Sequence, residues 1–270
     1  MKVISIFTGK GGAGKTSISI LLMSCLCYNW KQKVYALDFE SPESRLYNKR
    51  KTDLNILKLG DSALSKLSDG NDFYTVMPVK RSPEGYSPKQ LNEIAESLKK
   101  AKAAGEGYII CDFPGRFEKR EAVYYLASRG LIDLFVFPIE PEDQSITSML
   151  VVNEILNRKD FFVGMPEGHK QQVMCFWNKV TRNDLKNKME IIPQYERMFE
   201  TMGIPVSKTR INMVDTIKRT ASAPVFVTTT VCYPRMNILK AFPPRPGEDR
   251  PYIENLFQEI KDRADATTAM

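Results

Sequence analysis

The sequence predicts an α/β fold: a doubly wound, mostly parallel sheet flanked by helices in three layers. Short β-branched runs alternate along the chain with segments whose apolar residues have a helical period. A strand from Val3 to Phe7, a helix from Lys15 to about Trp30 and a strand from Val34 to Leu37 form the first βαβ unit. Because such a crossover joins parallel strands, the repeated alternation predicts a parallel sheet with helices on both faces.

The other elements follow the same alternation. We predict further strands over Phe73 to Met77, Tyr108 to Cys111, Leu134 to Phe137, Val173 to Trp177 and Val206 to Ile211. We predict further helices over Pro88 to Ala104, Glu121 to Ser128, Asp143 to Asn157 and Leu185 to Met202. Pro138 is expected to stop the strand before it. A proline-rich segment, 233–251, is expected to be irregular, and a last helix, 252–264, to dock on the core through its apolar face.

Composition limits the class of protein. The 270 residues, 43% hydrophobic and 26% charged, exclude a disordered, collagenous or coiled-coil chain and suit one domain over 1–270. Lys and Arg number 39 against 32 Asp and Glu, and the net charge of +7 favours an anionic partner: nucleotide, nucleic acid or acidic lipid. Five cysteines, most of them in apolar patterns, suit a reducing compartment. We expect a cytoplasmic protein without stable membrane insertion.

The strongest motif is Gly9-Lys10-Gly11-Gly12-Ala13-Gly14-Lys15-Thr16, between the first predicted strand and helix. It fits the phosphate-loop pattern, in which glycines let backbone N–H groups curve around phosphate oxygens at a helix amino terminus. Lys15 would bridge the β and γ phosphates, and Thr16 would bind Mg²⁺. A tight glycine turn is the alternative. We predict nucleotide binding by Gly11, Gly12, Ala13, Gly14, Lys15, Thr16 and Ser17.

Lys10 adds a feature that a general phosphate loop does not require. The run from Lys10 to Thr16 resembles the deviant Walker A motif of the ParA/MinD family of P-loop ATPases. In that family the first lysine reaches across a nucleotide-sandwich dimer to the partner's ATP. The resemblance implies ATP or ADP with Mg²⁺ as cofactors, a homodimer that forms on ATP binding, and Lys10 as a cation acting in trans. A solvated side chain is the alternative for Lys10.

A second element, Val34 to Pro42, looks like the family's strand followed by Asp, any residue, Asp and Pro. Asp38 matches the first aspartate, expected near Mg²⁺ and its waters. Glu40 stands where the second aspartate positions the attacking water, and Ser41 is inserted before the proline. Because misplacement by about an ångström can cost ~100-fold in rate, hydrolysis is expected to be weak and stimulated by a partner. Glu40 is either this catalytic acid or an exposed loop residue.

The third element, Tyr108 to Gly115, resembles the Walker B and switch II segment. Asp112 would hold a Mg²⁺-bound water, and Pro114-Gly115 would form the turn that senses the γ phosphate. An acid at the carboxyl end of a buried strand lies where ligands bind in this architecture. A simple strand-ending aspartate is the alternative.

Two later segments match the family more briefly. Cys175 to Lys179 looks like its late strand ending in an asparagine that recognises adenine, which assigns that role to Asn178. A turn-forming asparagine is the alternative. Met213 and Asp215 follow another strand end and are expected near the base or ribose.

The resemblance leaves two functions open. One is a short ParA-type partition ATPase that binds DNA nonspecifically in its ATP state, maintains or transfers a plasmid or conjugative element, and answers to a ParB-like or other activating protein. The other is a MinD-like positioning or regulatory ATPase acting on a protein or membrane target. Basic residues favour DNA, since they neutralise phosphates without reading sequence. They form three clusters: Arg45, Lys49, Arg50 and Lys51; Lys179, Arg182, Lys186 and Lys188; Lys208, Arg210, Lys218 and Arg219.

Overall fold

The fold is described from a computed structural model. It describes residues 1–58, 74–166, 169–181, 184, 191–212, 246 and 252–267. The predicted irregular segment 233–251 therefore lies outside the described residues except at position 246. Met213 and Asp215, which we predict to lie near the base or ribose, also lie outside them.

One parallel sheet of six strands forms the centre of the described fold. The strands are β1 (Lys2–Ile6), β2 (Val34–Asp38), β3 (Thr75–Pro78), β4 (Tyr108–Asp112), β5 (Leu134–Ile139) and β6 (Gln172–Trp177). Their order across the sheet is β3-β2-β4-β1-β5-β6, and each adjacent pair is parallel. The doubly wound α/β prediction is confirmed. Since the order reverses beside β1, the loop that follows β1 lies where such sheets bind ligands.

Helices cover both faces of the sheet. They are α1 (Lys15–Ser24), α2 (Arg45–Lys58), α3 (Pro88–Ala103), α4 (Ala122–Ala127), α5 (Asp143–Leu156), α6 (Ile191–Thr201) and α7 (Tyr252–Ala266). A π-helical turn, Cys25–Asn29, continues α1. None of the helices in the described part of the chain has the length and hydropathy to cross a bilayer.

Alternation along the strands divides the core in two. Ile4 and Ile6 of β1 join the apolar cluster under α1, α2 and α7, whereas Val3 joins the cluster under α3, α4, α5 and α6. All three side chains are fully buried. The period of two thus sends successive residues to opposite faces, as a sheet buried on both sides requires. The last helix docks on the first cluster through Ile253, Leu256, Phe257 and Ile260.

Three sequence predictions differ from the structure. Helix α2 was not predicted, because its polar sequence has little apolar period. Pro138 does not stop β5, which runs on to Ile139. The hydrogen-bonded ladder between β1 and β5 ends at Val136. Pro138 lies beyond it, so the N–H that proline lacks is not needed for pairing with β1.

The predicted strand from Val206 to Ile211 is wrong. The segment makes only isolated parallel bridges, at Val206 and Asn212. Between them the backbone N–H of Thr209 donates to the hydroxyl of Ser207 at 2.9 Å. This local side-chain bond accompanies a bend at Lys208, where the ladder is interrupted.

Candidate functional site

The register of the sheet brings the predicted acidic residues together. Asp38 at the end of β2 is paired with Asp112 at the end of β4, and Ile6 at the end of β1 is paired with the same aspartate. Carboxyl ends of parallel strands share one edge, so the loops after β1, β2 and β4 meet there. Both aspartates are buried.

The loop after β1 is shaped to surround an anion. Gly12 and Gly14 have φ of 77° and 84°, in the left-handed region that glycine adopts without strain. Gly14 caps α1, which has no side-chain cap and no acidic residue in its first turn. The first N–H groups of the helix, together with its dipole, therefore favour a negatively charged ligand.

Asp112 lies against the first turn of α1. The hydroxyl of Thr16 donates to Asp112 Oδ2 at 2.9 Å. Asp112 Oδ1 is buried and has no hydrogen-bond partner among the described residues. Burial, with a smaller contribution from the charge of Asp38, raises the pKa of Asp112 to about 7 against the opposing hydrogen bond from Thr16. Burial thus disfavours the charged form of Asp112, and a bound cation would offset this loss of free energy.

The side chain of Lys15 enters the same region. Burial lowers the pKa of Lys15 below its ordinary value, while the charges of Asp112 and Glu40 oppose the shift. A desolvated ammonium beside a glycine loop and a helix amino terminus is suited to bind phosphate.

The residues present fit a magnesium ion. Thr16 and Asp112 would hold it, directly or through water, and the unpartnered Oδ1 of Asp112 supplies the hard oxygen that Mg²⁺ prefers. No cluster of three His, Cys, Asp or Glu side chains suited to a metal occurs within the described ranges. Mg²⁺ is commonly bound by one or two protein oxygens, with water molecules and phosphate oxygens as its other ligands, and Thr16 and Asp112 suit that arrangement.

Asp38 shapes the loop after β2. Its Oδ1 accepts from the backbone N–H of Glu40 at 3.0 Å, and its Oδ2 accepts from that of Tyr47 at 2.9 Å. It thereby fixes the turn into α2. Each carboxylate oxygen can accept a second hydrogen bond, so Asp38 retains capacity for a metal-bound water.

Glu40 is half-buried at this edge. Its Oε2 has no hydrogen-bond partner among the residues that the structure describes and lies 3.6 Å from Arg45 Nε. Burial raises the pKa of Glu40, against the opposing charge of Arg45. The side chain is therefore not the fully exposed loop acid of the alternative interpretation.

Lys10 is held by acids of its own chain. Its ammonium donates to Glu140 Oε2 at 2.7 Å and also to Glu142. Burial lowers the pKa of Lys10, but these hydrogen bonds outweigh burial and the net shift is upward. Sequence reasoning did not find this pairing, because both glutamates follow a different strand, β5, and only the sheet order brings them to the loop after β1.

Asn178 and Lys179 brace the loop after β1. Asn178 Nδ2 donates to the carbonyl of Ala13 at 2.8 Å, and its side chain is buried. Lys179 donates to the carbonyl of Gly12 and, at 2.6 Å, to Glu140 Oε1. The assignment of Asn178 to adenine stays a prediction, but in this structure its amide holds the loop.

The loop after β4 passes close to the loop after β1. A Cβ atom at Gly115 would lie 3.0 Å from the carbonyl oxygen of Thr8 and 3.1 Å from that of Gly9. Any other residue would require the two carbonyls to shift by a few tenths of an ångström. The loops after β1 and β4 are therefore in direct contact.

Comparison with solved structures identifies the fold. The MinD cell division protein of Aquifex aeolicus superposes with a TM-score of 0.59 at 16% identity, over 100% of this chain and 99% of that one. A plasmid partition protein of Borrelia burgdorferi bound to AMPPNP gives 0.56 at 16%, over 97% and 99%. An McdA variant of Cyanothece in complex with ATP gives 0.60 at 14%, over 100% and 98%.

The chain has the fold of the ParA/MinD P-loop ATPases. No family model matches the sequence, and no curated protein matches it. At 14 to 16% identity the three structures establish the ParA/MinD fold and leave the activity to be argued from the site.

The bracing role of Asn178 is testable without nucleotide. Asn178→Ala leaves the Ala13 carbonyl without its partner, so we expect the free energy of unfolding of the nucleotide-free protein to fall by about 1 to 3 kcal/mol in urea denaturation. The matched control is Asn212→Ala, at an exposed asparagine. Equal stability of the two variants would contradict the bracing role.

Proposed function

We propose that the protein is a ParA-type P-loop ATPase that binds ATP with Mg²⁺ and dimerises in the ATP state. The observation that carries this is the meeting of a partly buried Lys15, a helix amino terminus without a side-chain cap and an unpartnered Asp112 oxygen at one sheet edge. The ParA/MinD fold supports it, and two of the similar structures contain ATP or its analogue.

Hydrolysis is assigned to residues that surround this edge. The ion, held at Thr16 and Asp112, would neutralise phosphate charge. Lys15 would stabilise charge on the β and γ phosphates, and Glu40 would orient the attacking water. Glu40 is one methylene longer than the aspartate of the family pattern, which supports weak hydrolysis. Stimulation by a protein partner of the ParB type is part of the proposal and rests on the resemblance.

Dimerisation requires Lys10 to change partners. In the described conformation its ammonium is bound to Glu140 and Glu142. We propose that in the ATP dimer it leaves these acids and contacts the phosphates of the partner subunit's ATP. Lys179 still pairs with Glu140, whereas Glu142 loses the ion pair that Lys10 gave it, and the phosphates must offset that loss.

DNA is the anionic surface that we propose for the ATP state. The net charge of +7 supports it, although several members of the predicted clusters are engaged elsewhere. Arg45 pairs with Glu43, Arg50 is buried against the Tyr74 ring, and Arg210 pairs with Glu196. Lys51 and Lys208 are exposed. Lys179 pairs with Glu140. Five further cluster members lie outside the described residues: Arg182, Lys186, Lys188, Lys218 and Arg219. Maintenance or transfer of a plasmid or conjugative element is the corresponding cellular role.

A MinD-like role on a protein or membrane target is the second candidate. The observation that favours it is the engagement of these arginines, which reduces the positive charge available to DNA in the described residues. The TM-scores to MinD and to the partition protein, 0.59 and 0.56, do not separate the two roles.

Removing the ammonium of Lys15 tests nucleotide binding. We expect Lys15→Ala to bind ATP too weakly to detect by calorimetry, because the desolvated cation at the phosphates is lost. Lys33→Ala, at an exposed lysine, is the control and should bind as the parent does. Retained ATP binding in Lys15→Ala would refute the phosphate-loop assignment.

Removing Lys10 tests its action in trans. Lys10→Ala should bind ATP but fail to dimerise in light scattering with ATP. Glu142→Gln, which weakens the hold on Lys10, should dimerise at lower ATP concentration than the parent. An undiminished dimer in Lys10→Ala would remove the trans role.

Salt dependence separates the two candidate roles. We expect DNA binding to require ATP and to weaken steeply as salt rises, since neutralised phosphates release counterions. Sedimentation with and without ATP over a series of salt concentrations, offering DNA or liposomes in separate samples, measures this. DNA binding independent of both ATP and salt, or sedimentation with liposomes alone, would favour the MinD-like role.

A further inference from the structure

A largely buried ion pair joins the segment after β3 to the loop after β4, which follows Asp112. Arg81 Nη2 donates to Glu121 Oε1 at 2.8 Å, with 25% of the arginine side chain and 4% of the glutamate side chain exposed. Glu121 directly precedes α4 and ends the loop that begins at Asp112. Neither partner was singled out in the sequence.

Arg81 also holds the loop after β2. Its backbone N–H donates to Ser41 Oγ at 3.2 Å. The hydroxyl of Tyr86 donates to the carbonyl of Phe39, also at 3.2 Å. Glu40 lies between these two anchored residues, so the segment 81–86 sets the position of its backbone.

The ion pair is only half made. An arginine can donate from two adjacent nitrogens to the two oxygens of one carboxylate. Here one arm is bonded, while Arg81 Nε and Glu121 Oε2 are both buried and have no hydrogen-bond partner among the described residues. Leaving a buried donor and a buried acceptor unpaired is costly. A small movement of one loop against the other would let Arg81 Nε donate to Glu121 Oε2, so that neither atom would be left unpaired.

The loop after β4 is placed to make that movement. It approaches the loop after β1 at Gly115, where the lack of a side chain lets the backbone lie against the carbonyl of Thr8. A ligand that shifted the loop after β1 would therefore also press on the loop that ends in Glu121. Aromatic stacking of Phe39 on Phe113, with ring centroids 4.4 Å apart, keeps this loop and the loop after β2 in contact.

We propose that Arg81 is a positioning residue, and that a γ phosphate closes its second bond to Glu121 and so draws Glu40 into place. The inference rests on the proposed ATPase function and adds to it a link between the two loops. Because closing the pair is coupled to the γ phosphate, the pair contributes to affinity for a triphosphate and not for a diphosphate.

Arg81→Lys is the informative variant. It keeps the charge and one donor for Oε1 but has no adjacent second arm. We expect its affinity for AMPPNP, with Mg²⁺, to fall about tenfold while its affinity for ADP stays that of the parent. Both affinities are measured by calorimetric titration of the full chain.

The matched control breaks an ion pair of similar burial at the opposite edge of the sheet. Lys102 Nζ lies 2.7 Å from Asp133 Oδ1, with side chains 21% and 6% exposed. Lys102→Met should lower the melting temperature and leave the ratio of AMPPNP to ADP affinity unchanged. If Arg81→Lys does not fold, Glu121→Gln is used, since its amide cannot offer two acceptors to the arginine.

The outcomes are distinct. An unchanged affinity ratio in Arg81→Lys, or an equal change in Lys102→Met, would overturn the coupling and leave the ATPase proposal standing. A parent chain that binds neither nucleotide would overturn the proposed function, and the coupling with it.

Discussion

Uncompensated charge at the carboxyl edge of the sheet is the constraint on which the rest of the structure depends. Lys15 is desolvated, and one oxygen each of Asp112 and Glu40 is buried without a hydrogen bond among the described residues. Buried groups of this kind that cluster in one cleft are typical of a ligand-binding site. A magnesium nucleotide would supply both an anion for Lys15 and a cation for the carboxylates. Nucleotide binding is therefore expected to stabilise the fold.

The sheet order explains why these groups can meet. Placing β1 between β4 and β5 puts its glycine loop beside the acids of β2 and β4 on one side and those after β5 on the other. Lys10 turns to the second side and Lys15 to the first. The two lysines of one motif thereby lie in different electrostatic surroundings.

Much of this was predictable from the sequence, because the strands are short apolar runs that end in the residues of the site. Asp38 and Asp112 could be placed by the rule that carboxyl ends share an edge. The pairing of Lys10 with Glu140 and the bond from Asn178 to Ala13 could not, since each joins segments that only the sheet order brings together. Helix α2 was missed because polar residues dominate it, and the segment after Val206 was taken for a strand because the bend at Lys208 accompanies a local bond to a hydroxyl, which apolar periodicity does not reveal.

Calorimetric titration of the parent chain with ATP, in the presence and absence of Mg²⁺, tests the central claim most directly. The account predicts saturable binding that Mg²⁺ strengthens, together with a higher melting temperature in the complex. Absence of heat and of any change in melting temperature under both conditions would contradict it.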